Sequence, residues 1–192
     1  MTRATICSVA LIACAALLGA CATLPPPRAP EAPIVAADSP FDIGGRLSAR
    51  RGDNGVAGSF SWTHDPPHDA ITLATPLGQT LAVLQGQPGS ASVRLSDGRV
   101  EEAPTWTTLT ERAFGVTIPV DGLAFWIRGH AAPGSRATVE RDARGRVSAL
   151  RQNGWDIAYD YADGAASAPH RVTLTYPGAE PIEVRAVVDR VG

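Results

Sequence analysis

The residues best suited to metal chemistry lie together in one short stretch, His64-Asp65-Pro66-Pro67-His68-Asp69. Imidazole nitrogens and carboxylate oxygens are common metal ligands, so two His and two Asp at this spacing could hold a divalent cation. Consecutive prolines are typical of a turn, and a polar hairpin tip explains the same residues without a ligand. Because no HExxH, CxxC or similar motif occurs elsewhere, we favour the hairpin tip and predict no metal site.

Residues that could perform catalysis do not form a recognisable set. None of the four His accompanies a Gly-x-Ser-x-Gly elbow, which is absent from the chain. All 17 basic side chains are Arg, and the lack of Lys excludes Schiff-base and phosphate-loop chemistry. We therefore predict that the protein is not an enzyme and uses no cofactor. An envelope hydrolase is a weaker hypothesis, which loss of an activity on changing His64 or His68 would support.

The amino-terminal segment, residues 1–20, has the pattern of an export signal. Arg3 precedes an apolar stretch that is too short to span a membrane comfortably, and the segment ends in Leu18-Gly19-Ala20-Cys21. This ending resembles the bacterial lipobox. Removal of the signal leaves Cys21 as the only thiol of the mature chain, which suits an acylated residue and rules out an intrachain disulfide. By resemblance to bacterial lipoproteins, Cys21 carries a diacylglycerol thioether and an N-acyl chain, and the following Ala22 indicates the outer membrane.

A Pro-rich tether follows over residues 21–38, and it favours extended backbone over helix. The folded domain is then expected over residues 39–192, which is long enough for one hydrophobic core. The chain has a net charge of -2, with 17 basic and 19 acidic side chains. That balance argues against nucleic acid as a partner, because nucleic-acid binding requires a basic surface.

Alternating apolar residues predict that the domain is mainly β. Val56, Gly58, Phe60 and Trp62, for example, share one face of a predicted strand. Turn residues recur about every ten positions, which gives about 9–11 strands. Their short connections favour antiparallel pairing, and a single sheet of this size is expected to curl.

Two or three short helices are predicted to interrupt the strands. Helical spacing runs from Thr105 to Gly115, and Gly115 suits a helix end. A second helix is predicted from Asp121 to Arg128, with Asp121 as its cap and Gly129 after its end. We expect these helices to cover the concave face of the curled sheet.

The loop Ala74-Thr75-Pro76-Leu77-Gly78-Gln79-Thr80 places an apolar residue where a polar one is usual. Pro76 and Gly78 punctuate the loop, and Leu77 occupies its tip. One interpretation is that Leu77 folds back onto the core. The other is that it is exposed and touches a membrane or an apolar ligand, since burying a Leu side chain is favourable by about 1.5–3 kcal/mol.

Several short motifs, in order, resemble the LolB family of outer-membrane lipoproteins. They cover most of residues 41–176 behind the lipobox, and each is weak alone. The motifs are Gly45-Arg46-Leu47, Phe60-Ser61-Trp62, Thr75-Pro76-Leu77-Gly78-Gln79-Thr80, Asp97-Gly98, Ile118-Pro119-Val120, Leu123, Trp126-Ile127-Arg128-Gly129, Gln152-Asn153-Gly154-Trp155 and Tyr159. Two departures are the tether and Asp189-Arg190, which stands where the family pattern has a Trp.

The resemblance implies a half-open β-barrel whose helices form a lid over an apolar cavity. It also implies that the protein accepts triacylated lipoproteins from the periplasmic carrier LolA and inserts them into the inner leaflet of the outer membrane, as a monomer on the periplasmic face. Pro76, Leu77 and Gly78 would then form the membrane-insertion loop.

Large apolar side chains are the candidates for the acyl-chain cavity, although each could equally pack in an ordinary core. The candidates are Phe60, Trp62, Leu73, Leu81, Val83, Trp106, Leu109, Leu123, Trp126, Ile127, Trp155 and Tyr159. The alternative function is an envelope lipoprotein that binds a small apolar ligand or a partner protein without transferring it. Such a module would not need Leu77 to be exposed.

Overall fold

The computed structural model describes residues 38–162 and 168–191. Predictions for the export signal, for Cys21 and for the tether up to residue 37 therefore lie outside the described residues. Within the described ranges, no helix is both long enough and apolar enough to cross a membrane.

The described residues form one antiparallel sheet of eleven strands and two α-helices, α1 and α2, so the predicted fold class is confirmed. The elements in chain order are β1 (Phe41–Arg51), β2 (Asn54–Asp65), β3 (His68–Ala74), β4 (Thr80–Gln87), β5 (Ser90–Leu95), β6 (Val100–Ala103), α1 (Trp106–Phe114), α2 (Val120–Trp126), β7 (Ala137–Arg141), β8 (Val147–Gln152), β9 (Trp155–Asp160), β10 (Arg171–Tyr176) and β11 (Ile182–Val191).

The strand order makes the sheet an open one. Neighbouring strands follow the order β6-β5-β4-β3-β2-β1-β11-β10-β9-β8-β7, so the first and last strands pair at its centre. The two edges, β6 and β7, are consecutive along the chain, and the segment between them holds both helices. The helices therefore connect one edge of the sheet to the other.

Period-2 alternation decides which face of the sheet is buried. On β2 and β3, Phe60 lies opposite Leu73 and Trp62 lies opposite Ile71, and all four side chains are buried. Their neighbours along each strand point to the other face. The buried face packs with the helices into one hydrophobic core.

The ends of α1 agree with the sequence prediction. The Thr105 hydroxyl caps the helix by accepting a hydrogen bond from the backbone N–H of Thr108 at 3.2 Å. At the other end, Gly115 adopts the left-handed conformation, with φ of 69°, which a side chain would disfavour. Both residues were expected from their types alone.

The second helix begins earlier than predicted, and Asp121 is not its cap. The cap residue is Pro119, whose carbonyl oxygen accepts the N–H of Leu123 at 2.8 Å. A proline at a helix start loses no hydrogen bond, because the first backbone N–H groups have no partner inside the helix. Asp121 lies in the first turn instead. After Trp126 the backbone tightens into shorter-range hydrogen bonds up to Gly129.

The first residue of α1, Trp106, packs against Gly86 of the sheet. A Cβ atom added to Gly86 on β4 would stand 2.9 Å from Cε2 of Trp106, closer than real Cβ contacts allow. The missing side chain lets the indole ring lie directly on the backbone of β4.

Candidate functional site: an apolar cavity under two helices

A small apolar cavity lies between the buried face of the sheet and the two helices. All of its lining residues are apolar except Thr110. They are Leu47, Phe60, Trp62, Ile71, Leu73 and Leu84 from the sheet, with Thr110, Phe114, Ile118, Val120, Leu123 and Ile127 from the helical segment. The space measures about 30 Å³, little more than a water molecule needs. The cavity is therefore nearly closed in this structure.

Five of the predicted cavity residues line this space. They are Phe60, Trp62, Leu73, Leu123 and Ile127. The other seven lining residues were not predicted, although the sequence holds a signal for some of them. Ile71 alternates with Leu73 on β3, and Ile118 and Val120 belong to a motif shared with the family. Leu47 and Leu84 could have been found from the same strand alternation.

The prediction that Val83 lines the cavity is wrong. Val83 lies opposite Thr72, whereas the buried face of β4 is formed by Ala82 and Leu84. Leu81 is also absent from the lining. It lies at an irregularity of the β3–β4 pairing, partly buried and close to Gly58. The alternation of β4 is therefore shifted by one residue from the expected one.

The five remaining candidates are buried but do not line the cavity. They pack in the ordinary hydrophobic core, which was the other interpretation of these residues. They are Trp106, Leu109, Trp126, Trp155 and Tyr159. Tyr159 stands apart from the others because its hydroxyl is buried with no hydrogen-bond partner among the described residues. Burial raises the pKa of Tyr159, and the nearby Tyr161 adds to the effect. The hydroxyl therefore stays protonated at physiological pH.

The Thr110 hydroxyl links α1 to the segment that leads into α2. Its oxygen accepts the N–H of Ile118 at 2.8 Å, and the hydroxyl donates to the carbonyl oxygen of Trp106 at 3.0 Å. This arrangement satisfies the one polar group that lines the cavity.

A charged pair fastens the end of α1 to the turn between β1 and β2. Arg51 donates from Nη2 to Oε1 of Glu111 at 2.6 Å and from Nη1 to Oε2 at 3.2 Å. Thr117 donates to the same Oε2 at 2.9 Å. The hydrogen bond from Arg51, and to a smaller extent that from Thr117, holds the pKa of Glu111 below its usual value.

The loop between β3 and β4 presents Leu77 to solvent. Leu77 is 93% exposed, so it does not fold back onto the core. The backbone N–H of Gly78 donates to the Thr75 carbonyl oxygen at 2.9 Å, with Pro76 next to Thr75. Proline at the second position and glycine at the fourth are typical of a type I turn. The tip is therefore a defined turn.

The His64–Asp69 stretch lies at the other end of β3 and forms the expected turn between β2 and β3, but two of its side chains are buried. His64 and Asp69 are buried because they share the inward-facing parity of Trp62. Oδ1 of Asp69 accepts the indole N–H of Trp62 at 2.6 Å and lies 2.8 Å from Nδ1 of His64. Across residues 38–162 and 168–191, no three His, Cys, Asp or Glu side chains are grouped closely enough to hold a metal ion.

The fold is thus an open antiparallel sheet whose apolar face is covered by two helices, with an apolar space of about 30 Å³ between them. The family model of the outer membrane lipoprotein LolB matches residues 39–190. The chain belongs to the LolB family.

Relatives of the same family match this sequence along nearly the whole chain. The outer-membrane lipoprotein LolB of Cupriavidus necator is 40% identical over 179 residues, covering 90% of each chain. That of Cupriavidus metallidurans is 38% identical over 184 residues, covering 90% of this chain and 89% of the relative. Among solved structures, a LolA superfamily protein from Nitrosomonas europaea shares 7% identity at a TM-score of 0.45, covering 80% of this chain and 86% of that one.

Proposed function

We propose that this protein accepts acylated lipoproteins from a LolA-like periplasmic carrier and inserts them into the inner leaflet of the outer membrane, without any covalent step. The observation that carries this proposal is the exposure of Leu77, which is 93%, on a turn at one end of a sheet that encloses an apolar cavity. A protein that only stored an apolar ligand would have no use for such a residue.

Cargo binding requires the cavity to expand. Acyl chains are unfavourable in water, so a carrier and a receptor must pass them between apolar cavities. The present space of about 30 Å³ is too small for an acyl chain, which occupies many water-sized volumes. The cover formed by α1 and α2 must therefore move away from the sheet when cargo enters. The Arg51–Glu111 pair is a partly exposed contact that resists this movement, and such pairs contribute only about 0.2–1 kcal/mol.

Insertion then depends on Leu77. Entry of this side chain into lipid is favourable by about 1.5–3 kcal/mol, which brings the end of the sheet to the bilayer surface. Pro76 and Gly78 fix the turn that presents it. The acyl chains leave the cavity for the bilayer because the bilayer offers a larger apolar volume than a narrow protein cavity.

The anchor on Cys21 keeps the domain at the membrane that receives the cargo. Two or more lipid chains give stable attachment, whereas one chain is marginal. The Pro-rich sequence of residues 21–38 favours an extended tether, which at roughly 3.1 Å per residue would reach about 55 Å. Such a reach would allow the Leu77 loop to meet the membrane that holds the anchor.

The proposal is tested by separating acceptance from delivery. A LolA-family carrier loaded with a labelled triacylated lipoprotein is mixed with the domain, and pull-down measures acceptance. Addition of liposomes followed by flotation measures delivery. Leu77→Glu should accept cargo normally and deliver it poorly, because a charge resists entry into lipid. Leu77→Phe should deliver nearly normally.

Val139→Glu is the matched control, because Val139 is an exposed apolar residue on the β7 edge strand. It should accept and deliver cargo like the wild type. Thermal unfolding should be unchanged in all three variants, since surface substitutions usually change stability by less than about 0.5 kcal/mol. Normal delivery by Leu77→Glu would show that this loop is not the insertion device. Failure of the wild type to accept cargo would remove the proposed function itself.

A further inference from the structure

The backbone turn that follows α2 is held against the start of β1 by Arg128. Its Nη1 donates to the carbonyl oxygen of Ser39 at 3.1 Å, and its guanidinium carbon lies 4.8 Å from the centroid of the Phe41 ring. Its Nε donates to the carbonyl oxygen of Ala124 at 3.2 Å, so the side chain folds back along α2. A guanidinium this close to an aromatic face makes an attractive cation–π contact. One side chain therefore joins the helical cover to the first strand.

Residues 38–41, which we call the entry segment, are also held by His64 of β2. The His64 ring stacks on the Phe41 ring, with centroids 4.8 Å apart and 24° between the planes. Its Nε2 lies 3.3 Å from Oδ1 of Asp38. His64 is itself buried, and its other ring nitrogen lies 2.8 Å from Oδ1 of Asp69. The entry segment therefore contacts a buried imidazole whose orientation is fixed.

The contacts of Arg128 adjoin the apolar cavity on both sides. Ile127, the preceding residue, lines the cavity from the cover, and Trp62 lines it from the sheet. The Trp62 ring meets the Phe41 ring edge to face, with centroids 5.1 Å apart and 76° between the planes. Movement of this end of α2 away from the sheet must therefore separate Arg128 from Ser39 and Phe41.

The surroundings of Arg128 make these contacts costly to lose. Burial lowers the pKa of Arg128, whereas the Asp38 carboxylate acts in the opposite direction. The side chain stays charged at physiological pH, because an Arg guanidinium does not deprotonate in proteins. A charge that is partly withdrawn from water depends on the groups that still contact it. The Ser39 carbonyl and the Phe41 ring are two such groups, and both belong to the entry segment.

We propose that Arg128 and the entry segment form a clasp that keeps the cavity closed, and that displacement of the entry segment frees α2 to move away from the sheet. The inference deepens the proposed function and rests on it, because it assumes that the cavity expands to receive an acyl chain. Arg128 is then a positioning residue, which contacts no cargo and acts through the position of α2.

The place of the entry segment gives the clasp a role in insertion. Phe41 pairs with His64, and His64 pairs with Asp69, so the entry segment lies at the end of β3 away from the Leu77 loop. β3 has seven residues and spans about 23 Å. When Leu77 touches the bilayer, the chain that precedes the entry segment must return over this length to reach the lipid anchor. A pull along that path acts on the entry segment before it reaches any other part of the domain.

The test measures the binding of dansyl-labelled undecanoic acid by fluorescence, using the mature chain in which Cys21→Ser prevents acylation. Arg128→Gln should bind this probe about fivefold more tightly, because removing contacts made only in the closed state raises the open population by the same factor. Asp38→Ala, which frees the entry segment from His64, should bind the probe about twofold more tightly, since an exposed ion pair contributes less.

Arg190→Gln is the matched control. Nη2 of Arg190 lies 3.0 Å from Oδ1 of Asp42, which follows Phe41 on β1 and points to the opposite face of the sheet. The substitution removes the same charge as Arg128→Gln, so it also controls for attraction of the anionic probe. Arg190→Gln should bind the probe like the wild type.

Phe41→Leu tests whether Arg128 acts through the aromatic ring. If it does, the two side chains are coupled, and Arg128→Gln should raise probe affinity less in the Phe41→Leu background than in the wild type. An equal effect of Arg128→Gln in both backgrounds would overturn the clasp as described.

Hydrogen exchange separates a clasp from a general loss of stability. In Arg128→Gln, the backbone N–H groups of Leu123 and Ile127, which donate to Pro119 and Leu123, should exchange about fivefold faster. Amides in the centre of β1 and β2 should exchange at the rate of the wild type. Faster exchange throughout the strands would indicate general destabilisation and would overturn the clasp.

The outcomes also separate this inference from the proposed function. Unchanged probe affinity and unchanged exchange in Arg128→Gln, with a wild type that binds the probe and accepts cargo, would overturn the clasp and leave the proposed function intact. A wild type that neither binds the probe nor accepts cargo from a loaded LolA-family carrier would remove the proposed function, and the clasp with it.

Discussion

The indole N–H of Trp126 donates to Oε1 of Gln152 at 2.8 Å, and this buried hydrogen bond ties α2 to β8. Oε1 of Gln152 also accepts the N–H of Ala132 at 2.8 Å, and its Nε2 donates to the carbonyl oxygen of Ala132 at 2.7 Å and to Ser135. Every hydrogen-bonding position of this amide is therefore used. Gln152 fixes both the end of the helical cover and the segment that leads from it to the sheet edge.

Replacing Gln152 with Leu should destabilise the domain by about 2–4 kcal/mol, because the substitution leaves several buried donors and acceptors unpaired. Urea unfolding followed by tryptophan fluorescence measures the effect. Gln85→Leu is the control, since Gln85 is exposed on β4, and it should change stability by less than about 0.5 kcal/mol. A loss below about 1 kcal/mol in Gln152→Leu would mean that water readily replaces the amide.

Glu111 should make the stability of the domain depend on pH. In the folded protein, a hydrogen bond from Arg51 and a weaker contribution from Thr117 lower the pKa of Glu111 below its usual value of 4.5. The pair therefore contributes stability above pH 4.5, which is lost as the pH falls through the lowered pKa. Because the Glu111 side chain is 39% exposed, the contribution should be only about 0.2–1 kcal/mol.

The measurement compares the free energy of unfolding at pH 7 and pH 3 for the wild type and Glu111→Gln. The variant should lose less stability on acidification than the wild type does. Arg51→Leu removes the partner and should reproduce this smaller loss. If the three proteins respond identically to acid, the contact between Arg51 and Glu111 does not persist in solution.

Unlike Glu111, the Tyr159 hydroxyl is a buried polar group that makes no stabilising hydrogen bond with the described residues. Tyr159→Phe should therefore leave stability unchanged or raise it by up to about 1 kcal/mol. Tyr161→Phe is the control, because Tyr161 donates to the Val147 carbonyl oxygen at 2.8 Å. That variant should lose about 0.5–1.5 kcal/mol. Destabilisation of Tyr159→Phe in thermal unfolding would reveal a partner for its hydroxyl.

The helix ends and the exposed turn were predicted correctly because they depend on residue types that favour one particular backbone conformation. Thr105 and Gly115 marked the ends of α1 because capping depends on the residue type at one position. Pro76 and Gly78 located the loop that exposes Leu77 for a similar reason. These signals act within a few residues, so they can be recognised without knowledge of the tertiary structure.

The errors arose where tertiary pairing decides the outcome. Residues 81–84 are all apolar, so alternation along β4 is compatible with either face, and only pairing with Ile71 and Leu73 selects Ala82 and Leu84. Similarly, the size of Trp106 does not tell whether it borders a void or fills one. Its position depends on Gly86, which is distant along the chain but lies directly beneath the ring.

The seating of Trp106 on Gly86 provides a final prediction. A Cβ atom at residue 86 would overlap the indole ring, so Gly86→Ala should push α1 away from the sheet and destabilise the domain by about 1–3 kcal/mol. Because α1 helps to close the cavity, the variant should also bind an environment-sensitive lipid probe more strongly than the wild type. Gly178→Ala is the matched control, since a Cβ there approaches no atom closer than 3.9 Å. Reduced stability without increased probe binding would show that α1 can shift without opening the cavity, and the role assigned to the helical cover would then fall to α2.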